Sequence, residues 1–218
     1  NNPDAAWDVK LHHCNRKQPA PLLIVTATRE SAARFFTHTA LGQSITHLRA
    51  QGVKLKVLAE TNNSKAIGIG YNTAIAERWC NHIIVFVHDD VRIDDAHIAH
   101  RLHDALKSYD VVGVAGNRRR YFGQPAWHRP RLLSQTGPKD DLLGSVFHAS
   151  IDELSRFGDS PASAQLLDGV LIAARGRTLV DSGVRFDPAL DFHFYDLDFC
   201  RSATEAGLRL GVWPMAIT

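Results

Sequence analysis

The sequence is poor in cysteine and has no long hydrophobic run. Its three cysteines, Cys14, Cys80 and Cys200, are far apart and form no CxxC pair. This pattern argues against a disulfide framework and favours free thiols in a reducing compartment. The longest apolar stretches, such as Ile83–Val87 and Val170–Ala174, hold about five residues, whereas a membrane-spanning helix needs ~20. The sequence therefore predicts no transmembrane segment.

An excess of charge of one sign is also missing. The 218 residues include 25 Lys and Arg against 23 Asp and Glu, a formal net charge of +2. A dedicated nucleic-acid-binding protein normally shows a clear basic excess. Hydrophobic residues make up 44% and charged residues 22% of the chain, the proportions of a globular domain and not of a disordered or coiled-coil protein. We therefore expect a folded domain with no nucleic-acid partner.

The first 21 residues are polar and lack the apolar core of a signal peptide. We expect residues 1–21 to form an N-terminal arm that precedes one domain over residues 22–218. The expected location is the cytoplasm, with peripheral attachment to a membrane left open.

From residue 22 onward, short apolar runs alternate with helical patterns. Leu22–Thr26 and Ile83–Val87 are continuous apolar runs, as expected of strands buried on both faces. Residues 117–168 are rich in Gly, Pro, Ser and Arg, so we expect loops there. Further strands are predicted at Val53–Ala59, Val111–Ala115, Gly169–Ala174 and Leu208–Trp213, and a late helix at Tyr195–Ala206. The alternation predicts an α/β fold with a mostly parallel central sheet flanked by helices.

The strongest functional signal is His88-Asp89-Asp90, which directly follows the run Ile83–Val87. In an open α/β sheet, ligands bind beyond the carboxyl ends of the strands. Carboxylate oxygens there suit Mg²⁺ or Mn²⁺, which bridge protein carboxylates to substrate phosphates. The alternative interpretation is that Asp90 only begins the next loop.

A second polar cluster, Glu60–Asn72, follows another predicted strand. Gly68 and Gly70 allow the backbone to approach a phosphate or sugar closely, and Lys65 can pair with its charge. The segment is neither a Walker loop nor a GxGxxG turn. An ordinary turn before a helix therefore remains an equal alternative.

A third signal is the acidic and aromatic run that leads into the late helix. Asp196 and Asp198 are two positions apart, about 200° around a helix, so both cannot face one site. One is a candidate catalytic carboxylate, and the other is expected to cap the helix or to pair with Arg201 or Arg209. Acidic residues are also favoured at a helix N-terminus by the macrodipole alone, and that interpretation stays open.

Taken in order, five motifs resemble glycosyltransferase family 2, whose members have the GT-A fold. The likeness spans nearly the whole chain after residue 21. The motifs are IVTATRE (Ile24–Glu30), LAETNNS (Leu58–Ser64), GIGYNTAI (Gly68–Ile75), FVHDDV (Phe86–Val91) and FYDLDFCRSATEAGLRL (Phe194–Leu210).

The resemblance implies a GT-A, Rossmann-like domain that transfers a sugar from a nucleoside-diphosphate donor to a saccharide or lipid-linked acceptor, with inversion. Residues 22–116 would form the nucleotide-sugar half and residues 117–218 the acceptor half. Asp196 would be the general base, and Mn²⁺ or Mg²⁺ would be held by Asp90 with His88. The nucleotide-sugar site would comprise Thr26, Arg29, Glu60, Lys65, Gly70 and Asp89, and the acceptor side Trp127, as a stacking platform, with Asp168 and Gly169.

One departure from the family pattern leaves alternatives open. His88 stands where the family's Asp-x-Asp motif has its first Asp, so a non-catalytic nucleotide- or glycan-binding module of the same fold is one alternative. A nucleotidyltransferase is another, although Ala27–Glu30 lacks the glycine expected of its first loop. Arg118, Arg119 and Arg120 are predicted either to clamp phosphates or to lie in a solvated loop.

Overall fold

The structure is a computed structural model that describes residues 19–129 and 141–218. Most of the predicted N-terminal arm, residues 1–18, lies outside the described residues. Within these two ranges, none of the helices has the length and apolar character that a membrane-spanning segment requires.

The elements of the described chain alternate between strands and helices in its first half and are mainly strands in its middle. In order they are β1 (Leu22–Ala27), α1 (Ala32–His38), α2 (Ala40–Ala50), β2 (Leu55–Glu60), α3 (Ile67–Asn72), β3 (Ile83–Val87), α4 (Ile98–Ser108), β4 (Val111–Gly113), β5 (Ala115–Asn117), β6 (Leu142–His148), β7 (Glu153–Arg156), β8 (Ala162–Ala164), β9 (Leu166–Leu167), β10 (Leu171–Arg175), α5 (Gly176–Ser182), α6 (Tyr195–Glu205) and β11 (Leu210–Val212). A single 3-10 turn, Glu77–Trp79, lies between α3 and β3.

The larger sheet has seven strands in the order β2-β1-β3-β10-β4-β11-β8. Strands β2, β1, β3, β4 and β11 run in one direction, while β10 and β8 run in the other. This confirms the predicted α/β fold with a mostly parallel sheet. Every residue of β3 is buried, as its unbroken apolar run predicts for a central strand.

Strand β10 pairs antiparallel with both β3 and β4, so the predicted strand at Gly169–Ala174 lies at the centre of the sheet. It is a run of four buried apolar residues that ends at Arg175. A fully apolar run fits a central position in either direction. Sequence alone therefore predicts the strand and its burial but not its direction.

A second sheet has four strands in the order β7-β6-β5-β9, and three of them, β6, β7 and β9, lie within the region where loops were predicted. The strand predicted at Val111–Ala115 is divided between the two sheets, as β4 and β5. Its pairs are all antiparallel. The expectation of loops over residues 117–168 is therefore wrong for much of the described part of this region. The strands are short, and Gly144 interrupts β6 with a φ of +82°, so neither an apolar run nor strict alternation marks them in the sequence.

An aromatic cluster ties α6 to the centre of the large sheet. Phe186 and Phe199 stack with centroids 4.2 Å apart, and Phe86 of β3 lies edge-on to Phe186 at 4.9 Å. Tyr71 of α3 and Tyr195 of α6 contact the same ring. Each ring buried in this way stabilises the fold by roughly 1.5–3 kcal/mol. The cluster therefore holds the first turn of α6, which carries Asp196, beside the end of β3.

Candidate active site

The loops that follow β1, β2 and β3 meet at one edge of the large sheet. The amide N–H of Thr28 donates to the carbonyl of Glu60 (2.9 Å), and that of Asn63 donates to the carbonyl of Thr28 (2.8 Å). The polar segments at the ends of β1 and β2 are thus joined directly, as expected for the carboxyl ends of parallel strands.

A cleft of about 510 Å³ lies at this edge, and we call it the polar cleft. It contains three of the predicted nucleotide-site residues, Arg29, Lys65 and Asp89. Neither the Arg29 guanidinium nor the Lys65 ammonium has an ion-pair partner among the described residues. The polar cleft is lined by Ala27, Thr28, Arg29, Glu30, Asn63, Ser64, Lys65, Ile67, Asp89, Asp191 and Phe192.

The other three predicted nucleotide-site residues do not line the polar cleft; they are Thr26, Glu60 and Gly70. Thr26 is 1% exposed inside β1, and its hydroxyl has no hydrogen-bond partner in the described part of the chain. Gly70 lies within α3, where an added Cβ would be 3.3 Å from the Cβ of Glu60. Gly70 therefore allows α3 to approach the exposed end of β2 closely.

The sequence interpretation missed Thr28, Asn63 and Ser64 as lining residues. All three belong to the quoted motifs, directly after β1 and β2. Their position beyond the carboxyl ends of two parallel strands is the signal that identifies them, and it applies to every residue of these loops, not only to the charged ones.

Asp89 and Asp90 follow β3 and face different cavities. Asp89 lines the polar cleft, whereas Asp90 lines a second cavity. Neither carboxylate forms a hydrogen bond or an ion pair with any described residue. Two free carboxylates at a strand end are hard oxygen donors suited to Mg²⁺ or Mn²⁺.

These two residues fit a cation that is completed by a ligand. Within residues 19–129 and 141–218, no group of three or more His, Cys, Asp or Glu side chains is arranged to hold a metal by itself. Mg²⁺ commonly uses one or two protein carboxylates together with substrate phosphates and water, and not a full protein cage. The donor set therefore suits a metal bound together with a phosphorylated ligand.

His88 is joined to α6 through a short hydrogen bond. Its Nε2 lies 2.6 Å from the hydroxyl of Tyr195, which donates to the carbonyl of Gly169 (3.0 Å). Because the tyrosine has one proton to donate, this assigns a proton to Nε2 and leaves Nδ1 as an acceptor. Burial lowers the pKa of His88, so the ring is neutral at pH 7. Only Nδ1 remains available for the predicted role of His88 as a metal ligand.

The second cavity has a volume of about 800 Å³, and we call it the aromatic cavity. It brings together four predicted site residues from three separate segments of the chain, His88, Asp90, Trp127 and Asp168. The wall also includes Gln43, Arg92, His128, Val146, Phe147, His148, Ser155, Phe157, Val170 and Thr218.

Trp127, the predicted stacking platform, is only 8% exposed. Its ring meets Phe157 at 85°, with centroids 5.0 Å apart. Most of the indole surface is therefore covered by protein, and little of it reaches the cavity. This position suits a wall residue better than an open stacking surface.

Asp168 and Asp196 lie on either side of Gly169. Oδ1 of Asp168 accepts from the amide of Val170 (3.1 Å), and Oδ2 of Asp196 accepts from the amide of Gly169 (3.2 Å). Burial raises the pKa of Asp168 to about 6 and raises that of Asp196 as well. Asp196 is not among the described lining residues of the polar cleft or of the aromatic cavity.

The two alternative candidates for the catalytic carboxylate, Asp198 and Asp191, lie in other surroundings than Asp196. Asp198 forms an ion pair with Arg201 (2.7 Å) on another side of α6, and Asp191 lines the polar cleft.

In the arginine run, Arg118 pairs with Asp159 and Arg119 with Asp141. Two of the three arginines are therefore neutralised within the protein.

The sheet order, with a cleft and a cavity at the carboxyl ends of its strands, defines a GT-A fold. The chain also matches a glycosyltransferase-like family over residues 37–216 and belongs to that family. This confirms the resemblance to glycosyltransferase family 2. No curated protein matches the chain.

Two solved structures share the fold at very low sequence identity, and a third aligns with a lower TM-score. GalNAc-T7, solved with UDP, GalNAc and Mn²⁺, aligns with a TM-score of 0.51 and 9% identity over 92% of this chain and 44% of its own. A197 from STIV aligns with a TM-score of 0.50 and 11% identity over 89% of this chain and 82% of its own. The catalytic domain of Drosophila β1,4-galactosyltransferase 7, in complex with xylobiose, aligns with a TM-score of 0.48 and 10% identity over 89% of this chain and 65% of its own. The chain thus spans less than two thirds of two of these three proteins.

Proposed function

We propose that this protein transfers a sugar from a nucleoside-diphosphate donor to a hydroxyl group of an acceptor, with inversion at the anomeric carbon. The observation that carries the proposal is the position of Asp89 and Asp90. They are adjacent, carry free carboxylates and line different cavities. A donor with its nucleotide in the polar cleft and its sugar at the mouth of the aromatic cavity would place its diphosphate beside them.

The charges of the polar cleft suit a nucleoside diphosphate. Arg29 and Lys65 supply two cations without ion-pair partners in the described chain, at the end of the site that would hold the nucleotide. Charge-assisted hydrogen bonds from such groups to phosphate are roughly twice as strong as neutral ones. Thr26, Glu60 and Gly70 stay predictions for this site, supported by the family resemblance alone.

A divalent cation, Mn²⁺ or Mg²⁺, would be held by Asp90 with Asp89 beside it. When bound, such an ion stabilises the negative charge that develops on the departing diphosphate, a contribution of several kcal/mol. The protein's own part is to present two unpaired carboxylates at a fixed strand end.

In the transfer, the acceptor oxygen forms a bond to the anomeric carbon as the bond from that carbon to the diphosphate oxygen breaks. The proton of the acceptor hydroxyl passes to a carboxylate, and the family resemblance gives this role to Asp196. A raised pKa suits a proton acceptor, because base catalysis is most effective when the pKa lies near the working pH. Such catalysis contributes about 10²–10⁴-fold to the rate.

The proposal is tested by thermal melting with a panel of nucleoside diphosphates, each with and without Mn²⁺. A ligand at 100 times its dissociation constant adds about 2.7 kcal/mol to the free energy of unfolding, which is visible as a raised melting temperature. We expect one nucleotide to stabilise the protein, and more strongly with Mn²⁺. No stabilisation by any nucleotide under either condition would contradict the proposal.

A further inference from the structure

We propose that Phe192 is the residue on which the donor's sugar packs, with its exposed ring against a C–H face of that sugar. The proposal deepens the proposed function and rests on it. Phe192 lines the polar cleft but has neither a charge nor a hydrogen-bonding side chain. Its role would be to distinguish the intact nucleotide sugar from the nucleoside diphosphate that remains after transfer.

The ring of Phe192 is the widest apolar surface that the described wall of the polar cleft offers to a ligand. Its exposed fraction is 59%, whereas that of Ile67, the other large apolar residue of this wall, is 7%. A single exposed apolar residue on an open surface needs no explanation. This ring, however, lies in the wall of the cleft that contains Arg29 and Lys65, where a ligand would meet it.

Both ends of the segment that carries Phe192 are fixed to the protein. The carbonyl of Asp191 accepts from the amide of Ile67 at the start of α3 (3.3 Å). The carbonyl of Phe194 accepts from the amide of Asp198 in α6 (2.9 Å). Phe194 has a φ of +66° and lines a different cavity from Phe192. The backbone therefore holds Phe192 at the polar cleft before a ligand binds, which lowers the cost of ordering it.

Phe192 lies at the end of the polar cleft nearest β3. Its ring is tilted by 35° against that of His88, with centroids 5.6 Å apart. His88 directly precedes Asp89 and lines the aromatic cavity. Lys65 belongs to the loop after β2, which is separated from β3 by β1. Phe192 is therefore at the boundary between the two cavities, where the proposed function has the sugar and not the nucleoside.

A phenyl ring in this position suits a sugar better than a phosphate. The face of an aromatic ring carries partial negative charge and its edge carries partial positive charge. The face therefore repels a phosphate and attracts the C–H bonds of a sugar. Arg29 and Lys65 supply the opposite preference at the other groups of the cleft wall. The wall thus has a charged part that suits the diphosphate and an aromatic part that suits the sugar.

The test compares Phe192→Ala with the wild type on the full chain, by calorimetric titration in the presence of Mn²⁺. The probes are UDP, GDP, ADP, CDP and dTDP, each with its glucose conjugate, together with UDP-galactose, UDP-N-acetylglucosamine and GDP-mannose. The conjugate that binds the wild type most tightly should bind the variant about 5- to 10-fold more weakly, the worth of one aromatic contact. The affinity for the corresponding free diphosphate should stay within about twofold, because the ring does not contact it.

Two further variants complete the comparison. Phe192→Tyr keeps the ring and should bind both ligands within about twofold of the wild type. Phe122→Ala removes a fully exposed ring that is not among the described lining residues of the polar cleft or the aromatic cavity, and it should change neither affinity. Should Phe192→Ala fail to fold, Phe192→Leu replaces it, because leucine keeps apolar volume without a flat ring. A normal melting transition qualifies each variant.

Other results would overturn the proposal. A nucleobase also stacks on an aromatic ring, so an equal loss of affinity for the free diphosphate would place Phe192 at the nucleoside instead. Unchanged affinity for the conjugate in Phe192→Ala, or an equal loss in Phe192→Tyr, would remove the ring from sugar binding while the proposed function stands. Absence of nucleotide binding in the wild type with every probe would end the proposed function, and this inference with it.

Discussion

The polar cleft and the aromatic cavity share one acidic doublet but are assembled in different ways. The polar cleft takes most of its wall from the loops that directly follow β1 and β2. The aromatic cavity takes Asp90, Trp127, Phe157 and Asp168 from segments far apart in sequence. A site made at the ends of neighbouring parallel strands is visible in local patterns, whereas one enclosed by a second sheet depends on the topology.

The largest combined effect, on nucleotide binding as well as on transfer, is expected of Asp90→Ala, which tests whether the shared doublet serves the donor. We expect the variant to lose Mn²⁺-dependent nucleotide binding and its transfer rate to fall about 10³-fold, since a bound cation contributes several kcal/mol. Calorimetric titration with the nucleotide, with and without Mn²⁺, measures the binding. The control is Asp181→Asn, which changes an exposed carboxylate of α5 that pairs with Arg177. Equal affinity with and without Mn²⁺ in the wild type would remove the metal from the account.

Asp196→Asn separates chemistry from donor binding. The amide keeps an oxygen that accepts from Gly169 but cannot take a proton at neutral pH. We therefore expect kcat to fall by about 10²–10⁴-fold while the nucleotide affinity is unchanged. Steady-state kinetics give kcat, and calorimetric titration with the nucleotide gives the affinity. Undiminished kcat would exclude Asp196 as the base and turn attention to Asp198 and Asp191.

Tyr195→Phe tests the hydrogen bonds that join α6 to His88 and to Gly169. The variant keeps the ring in the aromatic cluster but removes the hydroxyl that contacts His88 and Gly169. We expect the free energy of unfolding to fall by about 1–3 kcal/mol, because partly buried polar partners are left unpaired. Urea denaturation measures this change in the free energy of unfolding. Tyr109→Phe, whose hydroxyl has no hydrogen bond in the described chain, should change it by less than ~0.5 kcal/mol, and equal effects would contradict the assignment.

The smallest effect concerns the pH dependence of stability at Asp168. Its pKa of about 6 in the folded protein lies above the ordinary 3.8, so the folded state binds the proton more tightly than the unfolded state. The stabilisation that this gives is complete below pH ~4 and is lost as the pH rises through about 6. At pH 7 the charged form is a cost, and Asp168→Asn should raise the free energy of unfolding by about 1–2 kcal/mol.

Urea denaturation of wild type and Asp168→Asn at pH 5 and pH 7.5 measures this difference. The gain should be larger at pH 7.5 than at pH 5. A variant that is more stable than the wild type at pH 7.5 would show that the charged carboxylate is not kept for stability. A loss of stability at pH 7.5 would show that the carboxylate is structurally required there.

The sequence predicts the polar cleft better than the aromatic cavity for physical reasons. Ile83–Val87 is a fully apolar run of strand length, and its bounds as β3 are those predicted. Arg29, Lys65 and Asp89 are found together because they follow strands that share one edge of the sheet. At the polar cleft, burial and chain order are sufficient to locate these residues.

The aromatic cavity and its surroundings depend on long-range contacts that leave no local signal. His88 and Tyr195 are 107 residues apart, and their hydrogen bond requires both the sheet order and the packing of α6. Trp127 is mostly covered by protein because Phe157, which follows β7, packs against it. Neither contact follows from periodicity or spacing, so the sequence predicts neither the covering of Trp127 by Phe157 nor the contact of His88 with Tyr195.

The most direct test of the account is to incubate the wild-type protein with nucleotide sugars and Mn²⁺ and to follow release of free sugar, with and without a saccharide acceptor. The account predicts slow release by water for one donor, and a faster loss of that donor with formation of a new glycoside when the acceptor is added. Binding of a nucleotide sugar with neither release nor transfer, under any of these conditions, would contradict it and identify a binding module with this fold.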